Sequence, residues 1–533
     1  MTSTTHGPPL SFPPNWLHCG HGATAEEPVG CLGILVSGYT ACLAHVLRRQ
    51  QQRYLAGLAP GTDIDHRGTP FTKDLLARLI NAVREPTTGR PLFGTARFER
   101  ATFPALARFA GATFTGLAAF DGATFTDMVS FDEAVFSGEV GFDWATFTGS
   151  AFFSEARFES ATRLGPLVCG RSLSLLSAVF EAPVMVDIAA PEVTLWRTRW
   201  ASTAALRLRF ATVDLSEAVL EHPVTLVAAP APFVSMWGDY LPEEVLAGRD
   251  PGVQVKGVGG VDAAYLTLRD TDLSGCHFAG AVHLDQLRLD GRTTFARPPQ
   301  GLRWSKRRIL VEEHHWRAAA ARRPTPGQQP STKEWRPGPD HPDLIRTPGP
   351  ETIAAIYRQL RKALEDAKNE PGAADFYYGE CEMRRHDKSE GTTWVERALL
   401  SVYWALSGYG LRASRALSWL AAAMVATLMI MMLWGMPAHV PKPTTIGRQV
   451  PAGQMLTLVT ETPDPMNPTG PLTDRLTSDR FEASLRTVIN SVVFRSSGQD
   501  LTTVGTYTEM ASRFTEPVLL GLAVLAIRNR IKR

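Results

Sequence analysis

Cysteine is scarce in this chain, six residues in 533, which excludes a small secreted scaffold built on disulfides. A charge excess of either sign is also missing. Lys and Arg total 55 against 53 Asp and Glu, a formal charge of +2, so the balance calls for neither nucleic acid nor an acidic partner. The N-terminus, Met-Thr-Ser-Thr-Thr-His and then Pro-rich sequence, has no basic region leading into an apolar core and gives no secretory signal. No G-x-S-x-G, P-loop, H-E-x-x-H or paired-Cys nucleophile pattern occurs, so an enzyme is not expected. Disorder is excluded too, because apolar residues make up 44% and charged residues 20%. Tyrosine is sparse, 10 against 25 Phe. Phenylalanine is being used as a core filler at many equivalent places.

Those places are regular. From Arg97 to Thr162 the sequence falls into six eleven-residue units, beginning RFERATFPALA, RFAGATFTGLA and AFDGATFTDMV. Phe stands at 98, 103, 109, 114, 120, 125, 131, 136, 142, 147, 153 and 158, in alternating steps of five and six. Two residues before each lies Ala or Val. A period near 5.5 is neither helical nor that of a long strand. It suits a chain that runs briefly extended, turns a corner and repeats, with residues i and i−2 on one side. Polar residues and Gly, as in Asp121-Gly122 and Ser137-Gly138, fall where corners need them. The pattern continues more faintly through Leu195, Trp200, Ala205, Phe210, Leu215, Leu220 and Leu226, and then through Leu268, Leu273, Phe278, Leu284, Leu289 and Phe295. A Pro- and Gly-rich loop inserted at 228–262 separates the two runs.

These units resemble the pentapeptide-repeat family, whose pattern is A-(D/N)-L/F-x-x. The resemblance implies a mainly β fold, a right-handed four-sided β-solenoid over residues 91–300, in a bacterial protein. The alternating five/six spacing departs from the strict family period, so one corner in two must absorb an extra residue. Counting the inward positions predicts roughly six coils, at ~4.8 Å each.

Three of the cysteines lie in the first 42 residues, within a module spanning 1–90. Cys19, Cys31, Cys42 and His45 can close a tetrahedral, structural zinc site; otherwise the cysteines are buried apolar residues capping the first coil, and the chain needs no cofactor. The segment TPFTKDLLARLINAVREP is predicted to be an amphipathic helix on the open end of the solenoid.

After the solenoid, 301–350 reads as a Pro-rich linker, with eight Pro and three Gly in 321–350. Glu312-Glu313-His314-His315, just before it, is expected on a solvated helix face rather than at a metal. A helical hairpin over 351–393, turned at Pro371-Gly372, resembles a single tetratricopeptide pair. Residues 394–436 are predicted to form an interfacial helix and a first transmembrane helix at Ala416–Met436, with basic residues upstream marking the cytoplasmic side. An extracytoplasmic loop at 437–480 then leads to an amphipathic helix and a second, shorter apolar helix within 481–533, ending in RNRIKR.

The order of these last segments resembles a two-helix potassium channel, with Thr503, Val504 and Gly505 in the place of the filter. The second filter Gly is replaced, since Thr506-Tyr507 follows. Two functions follow. The first is a multi-pass protein of the cytoplasmic membrane, both termini inside, whose solenoid is a scaffold for a protein partner, with homo-oligomers allowed and no nucleic acid expected. The second is a channel or sensor whose degenerate pore is regulated by the solenoid.

Overall fold

An Ala-x-Phe triplet places both side chains on one side of a short extended segment, and the corners between triplets turn that side inward. The computed structural model describes residues 14–531 apart from 105, 235–238, 300–306, 322–333, 390, 439–441, 448–457, 462, 493–497 and 499. Two-residue strands at each triplet stack on their counterparts one coil away, as in Ala96↔Ala118, Thr102↔Thr124, Ala107↔Val129 and Thr113↔Val135. Successive coils are therefore 22 residues apart, as in the bond from Asp143 N–H to Asp121. The strands assemble into four parallel sheets of four, seven, nine and seven strands. The result is a β-solenoid of about nine turns.

All twelve repeat Phe and the Ala or Val two residues before each are buried. The rings form columns. Phe103, Phe125 and Phe147 stack with centroids 4.7 and 4.6 Å apart. A longer column runs from Phe93 through Phe114, Phe136, Phe158 and Phe180 to Trp200. Neighbouring columns meet edge to face, as Phe120 does with Phe131 at 5.3 Å, an arrangement favoured by the ring quadrupole.

The five/six alternation corresponds to two kinds of corner. In the five-residue corners a backbone bond closes a tight turn, from Ala101 N–H to Phe98 and from Ala123 N–H to Phe120, each at 3.0 Å. Their third residue takes the left-handed conformation, at Arg100, Gly111, Gly122, Glu133, Trp144 and Glu155, as type II turns require. The six-residue corners hold the extra residue. There Thr115, Thr126 and Thr148 donate their hydroxyls to the carbonyls of Phe93, Phe103 and Phe125 in the adjacent coil, at 3.1, 3.1 and 3.3 Å.

Past Thr162 the coil shortens. Arg207 reaches Asp187 across 20 residues, and the register shift falls between Leu164 and Leu167. Strands of one sheet also lengthen, to Arg163–Cys169, Val184–Ala189 and Ala204–Arg209. Their alternation is the ordinary period of two, so the steps of five fail at Ala205 and Phe210, which are only half-buried. Ala204, Leu206 and Leu208 point inward instead. The count of six coils fails for the same reason, and because the coils already begin at Ile64, which pairs with Ala96. The inserted loop is shorter than expected: the chain is back in the sheets at Gln254–Gly257. On its way it lays Phe233, Leu241 and Leu246 against Val168 and Ala189.

Asp121 and Asp143 stand one above the other on adjacent coils. Asp121 accepts the Asp143 N–H at 2.8 Å. Burial pushes its carboxyl up to about 6, with the charges of Asp143 and Glu99 adding to this and the hydrogen bond opposing. An acid whose pKa rises on folding favours the folded state at low pH, and that contribution is lost as pH rises from about 4 through about 6. Asp121→Asn keeps the acceptor and removes the charge. It is expected to raise stability by ~1–2 kcal/mol at pH 7 and to change little below pH ~4. Urea titrations at the two pH values test this.

Nine helices are described: α1 (Arg48–Ala56), α2 (Lys73–Ala82), α3 (Val311–Ala320), α4 (Pro350–Asp366), α5 (Glu370–His386), α6 (Trp394–Ser407), α7 (Ala413–Ile430), α8 (Ser478–Val492) and α9 (Thr503–Ile531). The chain divides into two compact units, Met1–Glu380 and Cys381–Arg533. In the first, α2 is capped by the Thr72 hydroxyl and buries Leu75, Leu76, Leu79 and Ile80, while Phe71 lies flat on Phe103 with centroids 5.2 Å apart. Residues 64–83 are therefore built into the start of the solenoid rather than forming a separate module with 1–63.

The acidic-histidine run on α3 is not solvated. Glu312, Glu313 and His314 are buried. Against the upward push of burial, Arg307 and Arg317 hold the Glu313 carboxyl down to about 2, with Arg307 at 2.6 Å and the Tyr357 hydroxyl donating at 2.6 Å. Glu312 accepts the N–H groups of Phe278 and Ala279. The partners come from three separate segments, which a local reading of the run leaves out. In the hairpin the turn is made at Ala367–Asn369, with Lys368 left-handed; Pro371-Gly372 sits inside the first turn of α5, where proline is tolerated. Much of the linker (322–333) lies outside the described residues.

Candidate metal centre

The first described segment folds back on itself before the coils begin. Cys19 N–H bonds the Gly33 carbonyl at 2.8 Å and Gly20 N–H the Cys31 carbonyl at 2.9 Å, which brings the first two cysteines together. A tight turn at Cys42, closed by bonds from His45 and Val46 N–H to its carbonyl, directs Cys42 and His45 to the same point. The four ligand atoms all lie within 4.8 Å of one another.

The individual edges are more telling. Cys31 and Cys42 sulfurs are 3.8 Å apart, and His45 Nδ1 stands 3.4 Å from Cys42 Sγ and 3.6 Å from Cys19 Sγ. A tetrahedral zinc with bonds of about 2.3 Å to sulfur and about 2.0 Å to nitrogen sets S···S edges near 3.8 Å and S···N edges near 3.5 Å. A disulfide needs ~2.0 Å instead, and all the cysteines are free thiols. The cluster can hold a metal such as zinc.

Its surroundings fit that use. Hydrogen bonding to Cys42 holds the Cys31 thiol down to about 5, helped by the Gly33 N–H. Cys42 keeps the shared proton and is raised by that same bond, then by burial. The Gly33 N–H points at Cys31 Sγ from 3.4 Å. A Cβ at Gly33 would stand 2.6 Å from the Cys42 Cβ and 2.7 Å from its sulfur, so the cluster closes only over glycine. His21 stacks on the His45 ring, centroids 4.2 Å apart, fixing its orientation. The sequence marks the four ligands; Gly33 and His21 become visible only once the chain is folded.

Residues 120–165 match the family described as pentapeptide repeats (9 copies). The coils over this stretch are pentapeptide repeats. The match falls on the most regular Phe columns, and the pentapeptide-repeat solenoid extends beyond it in both directions. Comparison with curated proteins and with solved structures gave no match.

Thr503, Val504 and Gly505 lie far from the repeats in sequence. They form the first turn of α9 rather than an extended segment of the kind that lines a filter. Val504 faces outward, and Gly505 is the point where two helices touch. A Cβ there would stand 2.9 Å from the Gly435 Cα and still closer to its carbonyl oxygen. Backbone atoms cannot give way, so Gly505→Val is expected to push α9 off the turn Met431–Gly435 that continues α7, at ~1–3 kcal/mol or more. Val504→Ala should stay within ~0.5 kcal/mol. Thermal unfolding in detergent compares the two; equal shifts would refute the contact.

Proposed function

We propose that this chain is a membrane-anchored, non-enzymatic scaffold whose solenoid presents a rigid surface to a protein partner, with the N-terminal cluster holding one structural zinc. The observation that carries the membrane part is the inverted polarity of its last helices. Two helices are long and apolar enough to cross a membrane, Ala413–Gly435 and Thr503–Arg528. The second is longer than the sequence suggests, because α9 begins at Thr503 and runs through Glu516 and Pro517.

Many of their large apolar side chains face out: Leu417, Trp419, Val425 and Met429 on one, Met510, Phe514, Val518 and Val524 on the other, while Leu420, Met432 and Leu519 are buried. Thr427, Ser512 and Glu516 are buried as well, whereas Ser418 and Thr515 are exposed. A water-soluble bundle has the opposite arrangement, whereas lipid accepts this one. Arg480 donates to the Met432, Met436 and Pro437 carbonyls, satisfying the end of the first helix.

The rigid surface rests on the outer rungs of the coils. Arg157–Glu181, Arg197–Glu217 and Arg199–Glu221 pair across adjacent turns at 2.5, 2.6 and 2.7 Å. Such exposed pairs add little stability, but they hold charges at fixed places on a repeating frame, which suits protein recognition. A pull-down from detergent-solubilised membranes should yield a defined partner in fixed ratio. Recovery of the chain alone, or only with its own copies, would remove the scaffold reading.

With both termini cytoplasmic, a reporter fused after Arg533 should be active inside the cell and one inserted at Asn467 outside. Both on one side would mean that α9 does not cross.

A further inference from the structure

The buried face of the second long helix repeats at three and four residues: Thr502, Gly505, Glu509, Ser512, Glu516, Leu519, Ala523 and Ala526. This face is polar over its first half and apolar over its second. Glu516 sits at the boundary. Its side chain has no exposed surface. One carboxyl oxygen accepts the Thr427 hydroxyl of α7 at 2.9 Å; the other is buried with no hydrogen-bond partner.

The groups around it offer no countercharge. The span Ala416–Gly435 has no charged residue. On α8, Ser484, Thr487 and Ser491 face inward, Glu482 and Arg486 pair with each other on the exposed side, Asp479 is exposed, and Arg480 is taken up by carbonyls. On α6, Glu396 pairs with Arg384, Arg397 donates to the Asp387 and Thr392 carbonyls, and Tyr403 packs on Tyr409. On α9 itself, Glu509 lies two turns away on the same face and Arg513 is half-buried beyond Ser512. Thus, among the described residues, no cation forms an ion pair with Glu516.

A carboxylate with a bare oxygen in hydrocarbon is strongly disfavoured, and such a group takes up a proton instead. Polar groups line the same face between Glu516 and the helix start. Ser512 Oγ lies 3.0 Å from both the Glu509 carbonyl and Ser491 Oγ, and the Thr502 hydroxyl donates to the Trp434 carbonyl. Beyond Glu516, Leu519, Ala523 and Ala526 close the seam.

We propose that Glu516 is a proton-binding site inside the helix bundle, exchanging its proton along the Thr502–Ser512 seam with the side of the 437–480 loop. This rests on the reading that α7 and α9 cross a membrane. It makes the anchor responsive to proton concentration on one side only, with no continuous path through.

The test uses the full chain in sealed lipid vesicles and dicyclohexylcarbodiimide, an apolar reagent that couples to protonated carboxyls. Mass spectrometry should place the adduct on Glu516, and its yield should fall at least tenfold between roughly pH 5 and pH 9, the range in which buried carboxyls titrate. Glu516→Gln should remove the adduct. Raising pH on the loop side alone should lower the yield; a response only to the opposite compartment overturns the route. An adduct that is absent or independent of pH, on a chain that resists an alkaline carbonate wash, overturns the site. A chain released by that wash fails the membrane reading itself, and the proposal falls with it.

Discussion

Phe125→Ala is expected to destabilise the solenoid by ~3–5 kcal/mol, the range for removing a buried aromatic ring. Phe125 is held between Phe103 and Phe147 at 4.7 and 4.6 Å and touches Phe120 and Phe131 from the side. Truncation therefore breaks a column at its middle, and the coils above and below cannot close the gap because their backbones are locked by parallel pairing. In a fragment ending at Glu380, the limit of the first unit, urea unfolding should show the full loss. Asp121→Asn in the same fragment should move the transition the other way at pH 7. Equal shifts in one direction would mean that the columns do not carry the stability assigned to them.

Removing metal from the N-terminal cluster should have the larger effect, although a local one. Structural zinc contributes on the order of 10 kcal/mol to small modules of this kind. The segment from Trp16 to Val46 has few buried apolar residues of its own, chiefly Val36, Cys42, Leu43 and Val46. Elemental analysis of the purified chain should give one zinc per protein, lost in Cys42→Ser. Chelator should expose residues 16–46 to proteolysis while the Phe columns keep their transition. A chain without zinc whose segment stays protected would leave the cysteines as buried apolar residues.

The repeats were legible because each coil is built from the same local choice. Ala-x-Phe sets the inward face, and every such residue from Ala96 to Phe158 is buried as its position demands. Legibility stopped where the spacing of inward residues changed to the period of a longer strand, at Ala204–Arg209. The four metal ligands were legible as residue types. Their convergence depends on backbone pairing between His18–Gly20 and Cys31–Ile34, which sequence spacing does not reveal. Glu312 and Glu313 were misjudged because their partners, Arg307, Tyr357 and the Phe278 N–H, are brought in from other elements. The apolar run 514–527 was visible, but the polar face that begins at Thr502 and passes through it becomes apparent only when burial is followed at three- and four-residue steps.

A stack of parallel rungs has two exposed ends, each a template on which another chain's rungs can grow. Here other segments lie against both ends. At the start, the Ile34 N–H bonds the Arg67 carbonyl of the first coil at 2.8 Å, and the Tyr54 hydroxyl meets His66 at 3.3 Å. At the finish, α4 packs against Arg288–Asp290, and Glu312 accepts the N–H groups of Phe278 and Ala279. Without such covers the end rungs would present unpaired backbone groups of the kind that accept further strands.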